Sequence, residues 1–249
     1  MRLEISKVTD SAGHHLFYHE LLTTALKEIG HTPILTVSNT PHLRSKQYLD
    51  SGITSIFWML ETKERNQRYI PIEVGLTDGL IGKRILLIKK GEQSHYDKVK
   101  NLDDFRGLNL TAAMGLKWFD AKVWRANHLK YKEFIGNWAS LFKMLEKDRG
   151  FDYFARGVNE IISEAKLHSG LAIEQKLLLI YERDFRFYLS KTGPNAGAQY
   201  KDIIASAMIK AKESGLITRL VNKYWGNDIK SLHYDERIKI YLDSPSSDD

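Results

Sequence analysis

Short apolar runs alternate with amphipathic stretches along most of the chain. Leu3 to Val8 predicts a first strand. Asp10 or Ser11 is placed to cap the next helix, whose apolar face is Tyr18, Leu21, Leu22, Ala25, Leu26 and Ile29, with Gly30 as its stop. Pro33 to Ser38 reads as a second strand, residues 42 to 50 as a short helix ended near Gly52, and Ile53 to Met59 as a third strand. Strands and helices alternating at this length predict βαβ units and a parallel sheet. Leu60 to Lys83, with Pro71, Gly75, Gly79 and Gly82, reads as a long irregular connection, the kind that in compact domains usually carries function.

From Arg84 the alternation restarts. A strand to Lys90 is followed by a helix near Asp97 to Phe105, a strand from Leu108 to Ala113, a helix from Trp118 to Leu129 and a strand from Tyr131 to Ile135. The stretch from Ser140 to Lys166 is the most informative. Leu141, Met144 and Leu145 form one helical stripe, Gly150 is placed to end that helix with a positive φ, and Phe151 to Ala155 reads as a buried strand. Arg156-Gly157 then turns the chain into a helix from Val158 to Leu167, on which Glu160 and Glu164 share a face. An arginine at the C-terminal end of a strand, just before a helix, stands where open α/β sheets bind ligands. Leu177 to Tyr181 and Phe185 to Ser190 are further strands, and helices follow near Gln199 to Glu213 and Leu216 to Trp225, ahead of a polar tail.

Composition narrows the class. The chain has no cysteine, so disulfides, thiolate metal sites and a cysteine nucleophile are excluded. No apolar run reaches membrane-spanning length, and no signal-peptide core follows Met1. The net charge of +6 is concentrated: between Lys83 and Arg149, Lys and Arg outnumber Asp and Glu by 15 to 8. Such a segment suits an anionic ligand or simply a solvated lysine-rich face, and no nucleic-acid-binding signature accompanies it. His15 and His19 stand i, i+4 on a predicted helix with His14 beside them, but no third metal ligand lies near in sequence. No cofactor is expected.

Five segments, in order, resemble the bacterial extracellular solute-binding proteins of family 3, the type II periplasmic amino-acid-binding proteins. They are Thr62-Lys63-Glu64-Arg65, RILLIKKG from Arg84, NLDDFRG from Asn101, MLEKDRGFDYF from Met144, and SGLITRLVNKYWG from Ser214. The resemblance spans nearly the whole chain. It implies an α/β, two-lobed periplasmic-binding-protein type II fold with two crossing hinge strands. Residues 1–84 plus 186–249 would form one lobe and residues 85–185 the other, with a small anionic or amino-acid-like ligand captured between them for ABC-type transport or sensing. It also implies a monomer working with a membrane permease or receptor in the periplasm, with an export signal ahead of Met1. A dehydratase acting on cyclic acids is the alternative on this fold. No nucleophile–base pair or carboxylate dyad stands out to support it.

The same resemblance marks the candidate ligand residues. Arg65 matches the arginine that grips a ligand carboxylate, with Thr62 assisting, and a planar guanidinium suits that task. Arg156 departs from the family, which usually places an acidic residue there to take an ammonium. With Arg65 and Arg156 facing each other, one from each lobe, the resemblance implies a site with two guanidinium groups and little compensating negative charge, and hence an anionic ligand, unless Glu160 neutralises Arg156. Gly115-Leu116-Lys117-Trp118 stands where the family holds an anion on free N–H groups, with Trp118 as a stacking platform or a core aromatic. Trp58, Arg84 and Tyr18 complete the set.

Overall fold

The computed structural model describes residues 1–8, 15–40 and 44–245. The candidate caps Asp10 and Ser11, along with His14, lie outside the described residues. The chain forms two compact units, residues 1–78 with 184–224, and residues 79–183 with 225–249.

The first unit is built on a five-stranded sheet. Its strands are β1 (Arg2–Val8), β2 (Ile34–Thr40), β3 (Ile56–Leu60), β4 (Ile70–Pro71) and a later strand, Phe185–Leu189. β1 lies between β2 and β3 and is parallel to both; Phe185–Leu189 runs antiparallel to β3 and β4. Helix α1 (His15–Glu28) buries the expected Tyr18, Leu21, Leu22, Ala25 and Leu26 together with His15 and Phe17, whereas Ile29 falls beyond the helix and is half-buried. Gly30 follows with φ 86°, the left-handed conformation that glycine adopts without steric cost. α2 (Ser45–Asp50) precedes β3.

The connection from Leu60 to Lys83 is not irregular throughout. It holds helix α3 (Lys63–Arg68), strand β4 and a 3₁₀ turn at Leu80–Gly82. Pro71 is tolerated because β4 lies at the sheet edge, where a missing N–H breaks no ladder.

The second unit carries a seven-stranded sheet. Its strands are β5 (Lys83–Lys89), β6 (Thr111–Gly115), β7 (Lys130–Phe134), β8 (Tyr153–Gly157), β9 (Leu171–Ile173), β10 (Leu177–Ile180) and, after the first unit's β11 (Phe185–Leu189), β12 (Ile238–Tyr241). β6 is parallel to β7 and β8, and β5 is antiparallel to β8, β9 and β10. Helices α4 (Leu102–Gly107), α5 (Phe119–Ala126), α6 (Ser140–Glu146) and α7 (Ile161–Leu167) connect these strands. α4 begins later than the sequence suggested because Asn101 caps it, accepting from the Asp104 amide at 2.9 Å. One core of the unit gathers Leu86, Ile88, Met114, Trp124, Tyr153 and Leu179, with Trp124 Nε1 donating to Tyr153 Oη at 2.8 Å.

Besides β4, two strands escape the sequence reading. β9 has only three residues, and β12 lies in the stretch read as a polar tail. β12 runs parallel to β10, with Ile240 buried and Lys239 and Tyr241 exposed. Residues 225–249, grouped with the first lobe in the sequence reading, thus contribute a strand to the second unit. Helices α8 (Lys201–Glu213) and α9 (Leu216–Ser231) precede β12 in the chain.

Candidate functional site

In the first unit, Thr62 and Arg65 come together at the start of α3. Thr62 is the N-cap, its hydroxyl accepting from the Arg65 amide at 3.2 Å. The Arg65 side chain turns back so that its guanidinium donates to the Leu60 carbonyl at the end of β3. It has no carboxylate within ion-pair distance among the described residues. Burial holds the Arg65 pKa below the ordinary arginine value, despite the raising influence of Tyr188, Glu64 and Tyr69. Desolvation disfavours the charged form, and nothing here supplies a full compensating charge. Arg68, one turn on, is occupied instead by a two-bond pair with Asp50 at 2.6 Å each.

Tyr18 and Trp58 also meet in this unit. Their rings stack with centroids 4.4 Å apart and 14° between planes, and both residues are buried. His19 packs edge-on against Trp58 and places Nε2 3.2 Å from the Ser6 carbonyl. No group of three or more side chains suited to a metal ion occurs among the described residues.

In the second unit, Arg84, Trp118, Arg156 and Glu160 are brought together around the C-terminal ends of β6 and β8. Strand periodicity sends the two arginines to opposite faces, because Arg84 pairs with Gly157 while Arg156 pairs with Ile85. Arg84 Nε lies 3.1 Å from Asp120 Oδ1 and donates to Tyr181 Oη at 2.9 Å, and that hydroxyl donates to Asp120 at 2.9 Å. Burial opposes the charge on Arg84, but Asp120, Tyr181 and Glu160 outweigh it and raise its pKa. Sequence reasoning missed Asp120 and Tyr181, since neither sits in a motif that marks it.

Arg156 lies within β8, not in a turn after it, and its side chain is 7% exposed. Two carboxylates hold it. Nε and one terminal nitrogen donate to the two Glu164 oxygens at 2.7 and 2.6 Å, and Glu160 Oε2 stands 3.0 Å from the same terminal nitrogen. Burial opposes its charge, while Glu160 and Glu164 more than offset this and raise the pKa. The expectation of little compensating negative charge is therefore corrected at Arg156, which Glu160 and Glu164 match, while Arg84 is matched by Asp120. Glu164, which the sequence placed on one helix face with Glu160 and gave no ligand role, supplies both hydrogen-bonding oxygens. The helical spacing that put it beside Glu160 was the available signal.

Trp118 lies over Gly115, where any Cβ would fall 2.4 Å from its Nε1. The turn at this point offers no free anion cradle at residues 116–118. The Leu116 amide donates to the Phe134 carbonyl, Lys117 to Glu133 Oε1 and Trp118 to the Gly115 carbonyl. The basic surplus of residues 83–149 is mostly surface charge: Lys98, Lys100, Lys117, Lys122, Lys130, Lys132 and Lys147 are all exposed. Next to Gly157, Asn159 is buried and its Oδ1 lacks a hydrogen-bond partner.

The element order and the two sheets match known structures. An arginine-bound amino acid ABC transporter substrate-binding protein from Streptococcus pneumoniae superposes with a TM-score of 0.61 at 14% identity, covering 90% of this chain and 94% of its own. An ancestral arginine-binding protein bound to arginine matches with a TM-score of 0.57 at 17% identity, over 90% of this chain and 98% of its own. The fold is that of the amino-acid ABC transporter substrate-binding proteins. An ancestral amino-acid-binding protein described as a precursor of cyclohexadienyl dehydratase shares this fold too, at 17% identity and a TM-score of 0.57, covering 90% of this chain and 95% of its own. No protein-family model matches the sequence, and no curated protein does. The substrate-binding-protein fold is thus carried here by a sequence with only 14–17% identity to these neighbours.

Proposed function

We infer that the chain is a periplasmic solute-binding protein that captures a small amino-acid-like molecule and works with a membrane permease or receptor. The observation that carries this reading is Arg65. It is a desolvated guanidinium with one backbone carbonyl and no carboxylate among the described residues, held at a capped helix start. A ligand carboxylate would supply the missing charge through a bidentate pair. The pairing of Arg156 with Glu160 and Glu164 cancels its pull on a ligand anion, which readmits a zwitterion and weakens the dianion reading. Several of the solved neighbours that share the fold are described as bound to arginine or glutamine, which agrees with this class.

Catalysis is the less supported reading. Asp120, Glu160 and Glu164 each carry a guanidinium partner, so none stands ready as a general base. The test is calorimetry and thermal shift with a panel of free amino acids, amino-acid amides and dicarboxylates. An amino acid should bind and its amide should not, and Arg65→Ala should weaken binding roughly ten- to hundredfold. Tighter binding of a dicarboxylate than of every zwitterion, or binding indifferent to Arg65, would overturn the reading.

A further inference from the structure

The surroundings of Arg156 form a complete guanidinium receptor whose occupant is part of the chain. Glu164 presents both carboxylate oxygens to Nε and a terminal nitrogen, the fork-on-fork arrangement by which proteins select guanidinium over ammonium. Glu160 adds a second carboxylate from one turn away. The guanidinium carbon lies 4.9 Å from the Trp138 and Phe154 ring centres and 5.7 Å from that of Trp118, within cation–π range of three rings.

The walls of this receptor are held by contacts that do not involve Arg156. Trp118 stacks on Phe154 at 6.0 Å, Trp138 packs edge-on to Phe142 at 5.7 Å, and Phe142 meets Phe154 at 5.3 Å. His168 stacks on Phe142 at 4.4 Å behind them. Glu160 and Glu164 are aligned by the helix start, where the Glu164 amide donates to the Glu160 carbonyl at 3.2 Å and Ser163 Oγ to the same carbonyl at 2.7 Å. A receptor braced in this way should keep its shape when its occupant is shortened.

We propose that Arg156 is an intramolecular ligand that fills an alkylguanidinium-binding pocket in the second unit and so determines specificity, closing that pocket to cationic side chains. The pocket itself stands apart from the solute-binding reading, whereas its role in specificity rests on it. Arg156→Ala removes two methylene carbons and a guanidine group, and ethylguanidine replaces that set of atoms. At about 10 mM, ethylguanidine should raise the melting temperature of R156A and shift its tryptophan fluorescence, with no effect on the wild type. Binding should be at least about tenfold tighter than for ethylurea, which lacks the charge, or propylammonium, which lacks the planar fork.

R156A deprives two half-buried carboxylates of their guanidinium and can fail to fold alone; recovery of folded protein only when ethylguanidine is present supports the proposal as directly as a binding curve. If R156A stays unfolded in every condition, the double variant R156A/E164Q decides, because it relieves that charge and keeps Glu160. A preference of the double variant for ethylguanidine over ethylurea sustains the pocket. Equal response to both, in either folded variant, or an equal response of the wild type, overturns it. Success with ethylguanidine and failure of the amino-acid panel would leave the pocket standing and the solute-binding reading refuted.

Discussion

Arg65 and Arg156 are the same residue type with opposite circumstances. Both are withdrawn from water, but Arg156 has two carboxylates and Arg65 has a single carbonyl, and desolvation therefore lowers one pKa and is overcome at the other. Removing one partner of a buried ion pair costs more than the pair contributes, because the survivor stays buried and unpaired. Glu164→Gln should accordingly destabilise the protein by about 3 kcal/mol, a drop of roughly 6–12 °C in the second unit's melting transition. A loss below about 1 kcal/mol would mean that Glu160 alone suffices. His19 supplies the pH dependence at this scale. Burial lowers its pKa below the ordinary histidine value, the Ser6 carbonyl opposes this and His15 adds to it. Its neutral form is favoured in the folded state, so its contribution is fully present above about pH 6.5 and is lost as pH falls through the folded pKa. Denaturant midpoints from pH 7.5 down to 5 should decline more steeply for the wild type than for His19→Gln. Parallel curves would remove His19 from the account.

At the scale of elements, the capped start of α3 is what turns Arg65 from a surface arginine into a candidate grip. The helix has six residues, too few to persist without its cap and its packing. Thr62→Ala should cost about 1 kcal/mol and release Arg65 from its fixed position, while Thr62→Ser should restore most of both. Urea titration gives the first quantity and ligand calorimetry the second. Unchanged affinity in a destabilised Thr62→Ala variant would separate the cap from the binding function. α7 shows the complementary case. Its register, with Glu160 and Glu164 one turn apart, aims two carboxylates at a residue on the preceding strand.

At the scale of the whole molecule, each unit has its own sheet, and the last strand belongs to the second. Arg237 secures it: its guanidinium donates to the carbonyls of Leu232, Glu174 and Leu177 at 2.7–2.9 Å, and lies 3.5 Å from the fully buried Glu174 carboxylate. Arg237→Ala leaves Glu174 buried without its cation, at a cost of about 3–5 kcal/mol. Hydrogen exchange should then accelerate in β10, β12 and β5, while β1 and β3 keep their protection. Equal loss in both sheets would show that the two units unfold as one.

Much of the architecture is legible in the sequence because it depends on local periodicity. The strands at β1, β3, β5, β10 and β11, the buried face of α1 and the positive φ at Gly150 all follow from side-chain spacing and the glycine's missing Cβ, although α6 itself stops earlier, at Glu146, with Asp148 in the left-handed conformation. Motif order alone pointed to the fold, and the Thr62–Arg65 pairing could be read from four consecutive residues. What the sequence could not decide is where charges end up. Counting residues gave a basic middle segment and two guanidinium groups seeking an anion. Folding sends most of those lysines to the surface and delivers Asp120, Tyr181 and Glu164 to the arginines, from positions 36, 97 and 8 residues away in the chain. β12 was invisible for the same reason: a four-residue strand with one fully buried side chain has no periodic signal, and only its partner β10 makes it a strand. Local pattern is written along the chain, whereas compensation of a buried charge depends on which distant residue the fold brings within hydrogen-bonding distance.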